Sequence, residues 1–527
     1  MKRSADYILE NANILTLASP TPHTALAVGG GRVLGVGTPE ELESLAGPGT
    51  RRENLGGRTI LPGLNDNHCH PLAYADSFLK VDLSDVTTQE DFLQRLTDRA
   101  AVTPAGEWIF GYGYNEMAFP QQREPDLAAL DAAVGDHPLF VTRYCLHAAV
   151  VNSAALARVG WDETTQIPGG SLGKDANGRL TGRLDENAKM TMDTLVPAPS
   201  VETIAKAIQT VCQTYNAYGV TSIADMGSRA EEPPLLSVWA AARSAGYLTL
   251  RVSSYLMDPA FAVYDGTGLP YPFGDALYRV AGRKLFVDGA VGGGTAGTSQ
   301  PSAEGGYGIY HHSQEELDDL VWQAHARGIQ ISTHAMGDQA IRMTLDAYRK
   351  AQQRLPLPDI RHRIEHAAFA DEALLGRMAE EGVWPLFNPN LHWYFGQSHI
   401  THYGQRGKTQ YPFRTALDKG LLPGNGSDCP VTPPDPRPGL YAAVNRVTKE
   451  GTPLEASQAI SPEEALKTYT LYGAYLTHEE QDKGTLEPGK LADFIVVDRN
   501  PLAVPPEELL DLQVERTVLG GKTVYAR

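Results

Sequence analysis

From residue 59 to residue 430 the sequence repeats one pattern. Short apolar, strand-like runs occur at 59–64, 219–226, 248–257, 280–288, 328–333, 360–364, 382–387 and 420–422. Most end in Gly, Asp, Asn or His, and helical stretches such as 314–327, 340–353 and 371–382 lie between them. Eight strands alternating with helices predict an α/β fold with a closed (β/α)8 barrel of the TIM type. Such barrels carry their chemistry at the C-terminal ends of the strands. The gap from 65 to 218 is too long for one crossover, so an inserted subdomain is expected at 75–195. The two ends read differently. Runs at 7–9, 12–17, 25–28 and 32–37, the last two joined through Gly29-Gly30-Gly31, resemble those at 493–498, 514–519 and 523–525. One small β-sandwich built from 1–58 plus 484–527 is expected. That leaves 59–74 plus 196–483 for the barrel.

Charge and cysteine content narrow the function classes. The chain has 527 residues, 63 acidic against 45 basic, for a net charge of -18. A general nucleic-acid binder needs a basic face, which this balance argues against. The four cysteines, Cys69, Cys145, Cys212 and Cys429, form no CxxC pair, as expected for a reducing compartment. The first residues lack a long apolar stretch, and Asp6, Glu10 and Asn11 interrupt them. A cytoplasmic protein with no signal peptide and no membrane or nucleic-acid partner is expected. A small-molecule substrate and a homodimer are the remaining expectations.

His68-Cys69-His70 directly follows the run at 59–64. Residues two apart in an extended chain point to one face, so both imidazoles can reach one metal ion. Two unrelated loop histidines would give the same spacing. The flanks are more specific. PGLNDNHCHP at 62–71 resembles the first-strand motif PG(F/L)xDxHxH of the amidohydrolase superfamily. KLFVDG at 284–289, STHAMGD at 332–338, RIEHA at 363–367 and GSDCPV at 426–431 resemble the YtcJ-like branch, amidohydrolase family 3, with its enzymes of the N-substituted formamide deformylase type. GTLEPGKLADFIVVD at 484–498 is similar to the superfamily's return into its terminal β domain. The resemblance runs along the whole chain in the right order.

What the resemblance implies is a metal-dependent hydrolase acting on carbon–nitrogen bonds other than peptide bonds. His68 and His70 would hold one divalent metal, and His334 and His366 a second, with zinc the ion best suited to imidazole ligands. Lys284 would react with carbon dioxide to give a carbamate bridging the two metals. A lysine can do so only as the neutral amine, which burial beside cations favours. An ordinary strand-end lysine paired with an acid such as Asp288 is the alternative. Asp428 would be both metal ligand and general base and acid, passing a proton from the attacking water to the leaving amine. Alone, an Asp in a Gly-Ser loop reads as a turn residue.

Further positions are candidates for the substrate pocket. LHAAVVNS at 146–153 resembles the family's GHAxxVNS segment, with Leu146 where Gly is usual, and places His147 as a catalytic or substrate-binding residue or a structural one. Tyr112 and Tyr114, in GYGYNE at 111–116, wall the pocket or pack in a core. Asp338 caps a helix or touches substrate. Trp393 and Tyr394, in NPNLHWYF at 388–395, are expected on a loop forming an apolar lid or anchoring into the core. The substrate is accordingly expected to be a small aromatic or apolar N-substituted amide or formamide. Esterase or lactonase chemistry at the same metals is the competing enzymatic reading. A non-catalytic scaffold on the same fold is the reading from another class.

Overall fold

Eight short parallel strands form the centre of the computed structural model, which describes residues 4–19, 22–143, 147–227 and 234–527. They are β1 (Leu64–Cys69), β2 (Val220–Asp225), β3 (Arg251–Leu256), β4 (Tyr278–Phe286), β5 (Gln330–Ala335), β6 (Arg363–His366), β7 (Trp384–Phe387) and β8 (Gly424–Asn425). Each pairs in parallel with its neighbours in the sequence. Backbone hydrogen bonds from the Asp428 N–H to the His68 carbonyl (2.7 Å) and from the His70 N–H to the Cys429 carbonyl (2.7 Å) join the end of β8 to β1. The result is a TIM-type barrel. Most strand residues are buried on both faces, as a parallel sheet wrapped in helices requires.

The outer helices are amphipathic. α1 (Gln314–His325) begins at a capping box in which Ser313 and Glu316 satisfy each other's backbone N–H groups. α2 (Asp338–Arg354) buries Ala340, Ile341, Thr344, Leu345, Tyr348 and Ala351, a single stripe at helical spacing. α3 (Glu372–Glu381) follows β6 and buries Leu374, Leu375 and Met378. No helix among the described residues is long and apolar enough to cross a membrane.

The two ends of the chain build two sheets around one core. One has the order Arg32–Gly37, Ala25–Gly29, Tyr7–Glu10, Arg51–Asn54. Its tight hairpin turns through Gly30 (φ 58°) and Gly31 (φ 76°), a left-handed pair that residues with a side chain adopt only under strain. The other has the order Asn13–Ile14, Thr59–Pro62, Phe494–Val497, Val514–Leu519, Lys522–Ala526. Leu9, Leu26 and Val33 from the beginning pack with Phe494, Val496 and Val518 from the end.

The chain divides into two compact units, one uniting the segment up to Leu72 with that from Ile208 onward, the other being Ala73–Ala207. Within the latter, six strands run in the order Gly170–Lys174, Leu180–Glu186, Ala148–Val151, Leu139–Arg143, Ile109–Tyr114, Lys80–Asp82.

Three readings of the sequence are corrected. The run at 59–64 is not the first barrel strand. Thr59–Pro62 pairs antiparallel with Phe494–Val497 in the terminal sheet, and the barrel starts only after Gly63. Both segments are apolar and buried, so hydrophobicity alone does not separate them. The eighth strand is Gly424–Asn425, not 420–422. The expected loop at 388–395 is the start of a helix, α4 (Pro389–Tyr403), with Pro389 in its first turn, where a missing N–H is harmless.

Arg251, the first residue of β3, ties the barrel to the terminal sheets. Its guanidinium grips the Asp493 carboxylate at 2.5 and 2.8 Å, and both side chains are buried. Asp493 also accepts the Gly520 N–H at 2.7 Å. Arg251→Ala strands a buried carboxylate and should cost about 3–5 kcal/mol of stability. Chemical denaturation measures this, and a loss below about 1 kcal/mol, the range of exposed pairs, would show that the pair is not what joins the two parts.

Candidate metal centre

A strand that ends at a barrel mouth presents alternate residues to the interior, and β1 uses this to place two imidazoles. His68 lies within β1 and His70 directly after it, with ring centroids 5.5 Å apart. His334 sits in β5, and His366 is the last residue of β6. The His68 and His366 rings are 4.6 Å apart, those of His334 and His366 4.5 Å. Lys284, in β4, is buried, with its ammonium 4.8 Å from the centre of the Phe286 ring. Asp428 follows β8, and its Oδ1 lies 3.4 Å from the Nε2 atoms of both His68 and His70. The fold thus gathers all six expected ligands at the C-terminal ends of strands.

Each imidazole has one nitrogen tied down. His68 Nδ1 meets Glu365 Oε2 at 2.6 Å, and His70 Nδ1 meets the Gly227 carbonyl at 3.1 Å. His366 Nδ1 meets Asn388 Oδ1 at 2.8 Å, and His334 Nε2 meets the Gly289 carbonyl at 3.0 Å. All four partners are oxygen acceptors, so each assigns the ring proton to the bonded nitrogen. The opposite nitrogens are left with lone pairs: Nε2 of His68, His70 and His366, and Nδ1 of His334. Ligand atoms of His68, His70 and Asp428 all lie within 4.8 Å of one another. Three Lewis bases converging in this way are a ligand set a divalent metal can use, so the residues fit one.

The electrostatics agree. Burial, then the charge of Lys284, pulls His334 down to about 3. Burial and the neighbouring His334 hold His366 well below its ordinary value. Burial is the first cause for both, so both rings are neutral at pH 7, the form that binds a metal. Burial alone would raise the Asp428 carboxyl, but its contacts with His68 and His70 hold it well below the usual range, as an anion. For His70, burial lowers the proton affinity and Asp428 more than restores it, so a proton is drawn to the place a cation would fill.

Among the supporting residues, Glu365, Arg363, Asp66 and Ser427 were not singled out from the sequence. Glu365 forms a buried pair with Arg363 at 2.8 Å, and Arg363 donates to the Asn67 carbonyl at 2.8 Å. Two opposite charges at i and i+2 of a wholly buried strand signal such a pair, since buried charges are paired. Asp66 accepts the Ser427 N–H at 2.9 Å, the Ser427 hydroxyl and the His68 N–H at 3.3 Å, fixing the Asp428 loop to β1. Burial pushes its carboxyl up to about 6. Asp288 accepts backbone N–H groups of Gly297, Met336 and Gly337 at 2.8, 2.9 and 2.8 Å. Asp338 opens α2 without capping it, and its carboxylate instead accepts from Ser299.

The remaining candidates have other surroundings. Tyr114 is fully buried in the core of the Ala73–Ala207 unit, its ring 5.5 Å from that of Phe92. Tyr112 is half-buried. His147 is exposed, its Nδ1 3.2 Å from Glu186, and Leu146 lies outside the described residues. On α4, Trp393 packs edge-on against Tyr441 at 5.1 Å, and Tyr394 faces the Lys449 ammonium at 5.3 Å.

Comparison with known proteins now identifies the lineage. The model of the amidohydrolase family matches residues 52–525. The chain belongs to the amidohydrolase family. YtcJ of Bacillus subtilis is 30% identical over 515 residues, covering 95% of this chain and 96% of that protein. The N-substituted formamide deformylase of Arthrobacter pascens is 29% identical over 549 residues, covering 100% and 99%. The crystal structure of an uncharacterized metal-dependent hydrolase from Pyrococcus horikoshii superposes with a TM-score of 0.78 at 26% identity, over 95% of this chain and 99% of that one. This amidohydrolase is thus a metal-dependent hydrolase, and its converging histidines fit the divalent metal that the family uses.

Asn388 offers a direct check on His366. Asn388→Ala removes the acceptor that orients the ring, and loss of such a partner weakens metal binding by about 10- to 100-fold. Titration against a chelator of known affinity measures it. Unchanged affinity would mean that His366 does not hold metal.

Proposed function

We propose that this amidohydrolase cleaves the C–N bond of a small N-substituted amide or formamide carrying an apolar or aromatic group. The observation that carries the reading is the convergence of His68, His70 and Asp428, with the outer nitrogen of each ring already held. The similarity to a formamide deformylase along the full length supports the bond type. Phe286, stacked on His334 at 5.0 Å, supports an apolar group in the substrate, as do exposed Val431, three residues after Asp428, and Ile309 and Tyr310 in the segment following β4.

His68 and His70 would hold one ion and His334 and His366 a second, with Lys284, as its carbamate, between them. Neutral imidazoles and carboxylate-type oxygens suit zinc. When bound, the metal polarises the scissile carbonyl and makes water acidic enough to attack near neutral pH. Asp428, held as an anion, accepts a proton from the attacking water as its oxygen bonds to the carbonyl carbon. As the C–N bond breaks, Asp428 returns that proton to the leaving nitrogen, so an amine departs with a carboxylic acid, or formic acid from a formamide. Burial of the site keeps bulk water from competing for these protons.

Lys284→Ala should reduce the metal content from about two ions per chain, the complement of a two-metal site, to one or none. Elemental analysis of protein produced with ample zinc and bicarbonate reads this directly. Short carboxylic acids should partly restore activity by supplying an anion. A variant that keeps both its metals and its rate removes the carbamate from the scheme.

Asp428→Asn should lower kcat on an amide by about 10²- to 10⁴-fold, the range for one general acid–base group. The corresponding ester should lose less, because its leaving group does not need the proton. Equal losses on both would show that Asp428 acts as a ligand only.

A further inference from the structure

Alternation along β4 decides what its last residue faces. Lys284 and Phe286 are two apart, so their side chains point to one side of the strand, the barrel interior. The register of β4 and β5 makes His334 the cross-strand partner of Phe286, and the two rings stack at 5.0 Å with an interplanar angle of 24°. The Lys284 ammonium lies 4.8 Å from the centre of the same ring. One aromatic ring is therefore packed against two of the candidate ligands.

The ring is not closed in. Residues 280–285 of β4 are buried, whereas Phe286 keeps part of its surface exposed. Its contacts with His334 and Lys284 lie toward the interior. The exposed part therefore faces the barrel mouth, the side on which barrels of this type take up their substrates.

The position of Asp428 fixes which end of an amide meets this ring. β8 and β4 are four strands apart in either direction around the barrel, so Asp428 and Phe286 stand on opposite sides of its mouth. Asp428 lies toward β1, 3.4 Å from both His68 and His70. To return a proton to the leaving nitrogen, it must come within hydrogen-bond reach of that nitrogen. The nitrogen and its substituent therefore lie toward β8. The acyl group, on the other side of the carbonyl carbon, points across the mouth toward β4 and β5. Val431 is exposed and donates its N–H to the Asp428 carbonyl at 2.8 Å, which gives the nitrogen's side an apolar surface of its own.

We infer that Phe286 is a specificity-determining residue that limits the acyl side of the substrate to hydrogen or methyl and leaves the large apolar group to the nitrogen. The inference rests on the hydrolytic reading proposed above. The acyl substituent begins one bond from the attacked carbon, close to the ligands. A ring packed against two of them closes the space into which a longer acyl chain would extend. One methylene too many in an apolar pocket is worth about 10- to 200-fold in selectivity.

Phe286→Ala in the full-length, metal-loaded enzyme tests it, with N-benzylformamide, N-benzylacetamide and N-benzylbutyramide as substrates. Wild type should prefer them in that order. The variant should raise kcat/KM for the butyramide relative to the formamide by about tenfold or more, with metal content unchanged. Formate and butyrate, the matching acids as anions, give a second readout by calorimetry that needs no turnover. Their affinity ratio should shift toward butyrate by about tenfold. Exchange of benzyl for methyl on the nitrogen should change kcat/KM by the same factor in wild type and variant. Acyl ratios that stay within about twofold of wild type in both readouts overturn the inference. So does a change confined to the nitrogen substituent, since the ring then meets the other end of the amide. If Phe286→Ala loses metal, Phe286→Leu, which keeps an apolar cover on the ligands, takes its place under the same criteria. Loss of metal there too overturns the inference, because the ring then only packs the ligands. If the wild type hydrolyses none of the amides, the hydrolytic reading fails while the carboxylate ratios still decide Phe286.

Discussion

Two backbone hydrogen bonds carry the geometry of the metal centre. The Asp428 N–H bonds to the His68 carbonyl and the His70 N–H to the Cys429 carbonyl, so the candidate ligands from the first and last strands are held through their own main chain. β8 is only two residues long, and its ladder alone would fix little. Asp66 reinforces the seam from inside by bonding both Ser427 and the His68 N–H. The seam also dictates a residue. A Cβ on Gly426 would lie 2.6 Å from His68 Cβ and 2.7 Å from His68 N, so only glycine permits this approach.

Behind the ligands lies a polar chain that returns to its origin. Arg363 binds the carbonyl of Asn67, Glu365 binds Arg363, and His68, next to Asn67, binds Glu365. The despite-burial ionisation of Glu365 follows from this loop, since burial would raise its pKa but Arg363 and then His68 depress it strongly. Such a network fixes ring orientation before any ion arrives, and a satisfied network in a low-dielectric interior is stiffer than its separate bonds.

Much of this was legible in the sequence. Alternating strands and helices gave the barrel, and the motifs, through family resemblance, gave the six candidate ligands at the C-terminal ends of its strands. Periodicity failed where two structures share one composition. Thr59–Pro62 and β1 are neighbouring buried segments, and only pairing with Phe494–Val497, more than 400 residues away by count in the chain, assigns the first to a different sheet. β8 was misplaced because two residues hold no pattern. The segment 388–395 was expected as a loop, although its proline fits the first turn of a helix. Glu365, Asp66 and Asn388 stood in recognised segments, but their roles depend on contacts between strands that no local spacing encodes.

The sharing of one core by the two chain ends has a consequence for how the enzyme is made. Thr59–Pro62, which leads through Gly63 into the strand bearing His68 and His70, lies between Asn13–Ile14 and Phe494–Val497. During synthesis its inner partner does not exist until nearly all of the chain has been translated. The anchor of β1 is therefore completed last, after the strands carrying Lys284, His334 and His366 have left the ribosome. A chain truncated before residue 494 would carry every candidate ligand without the Phe494–Val497 strand that pairs with the lead-in to the first two.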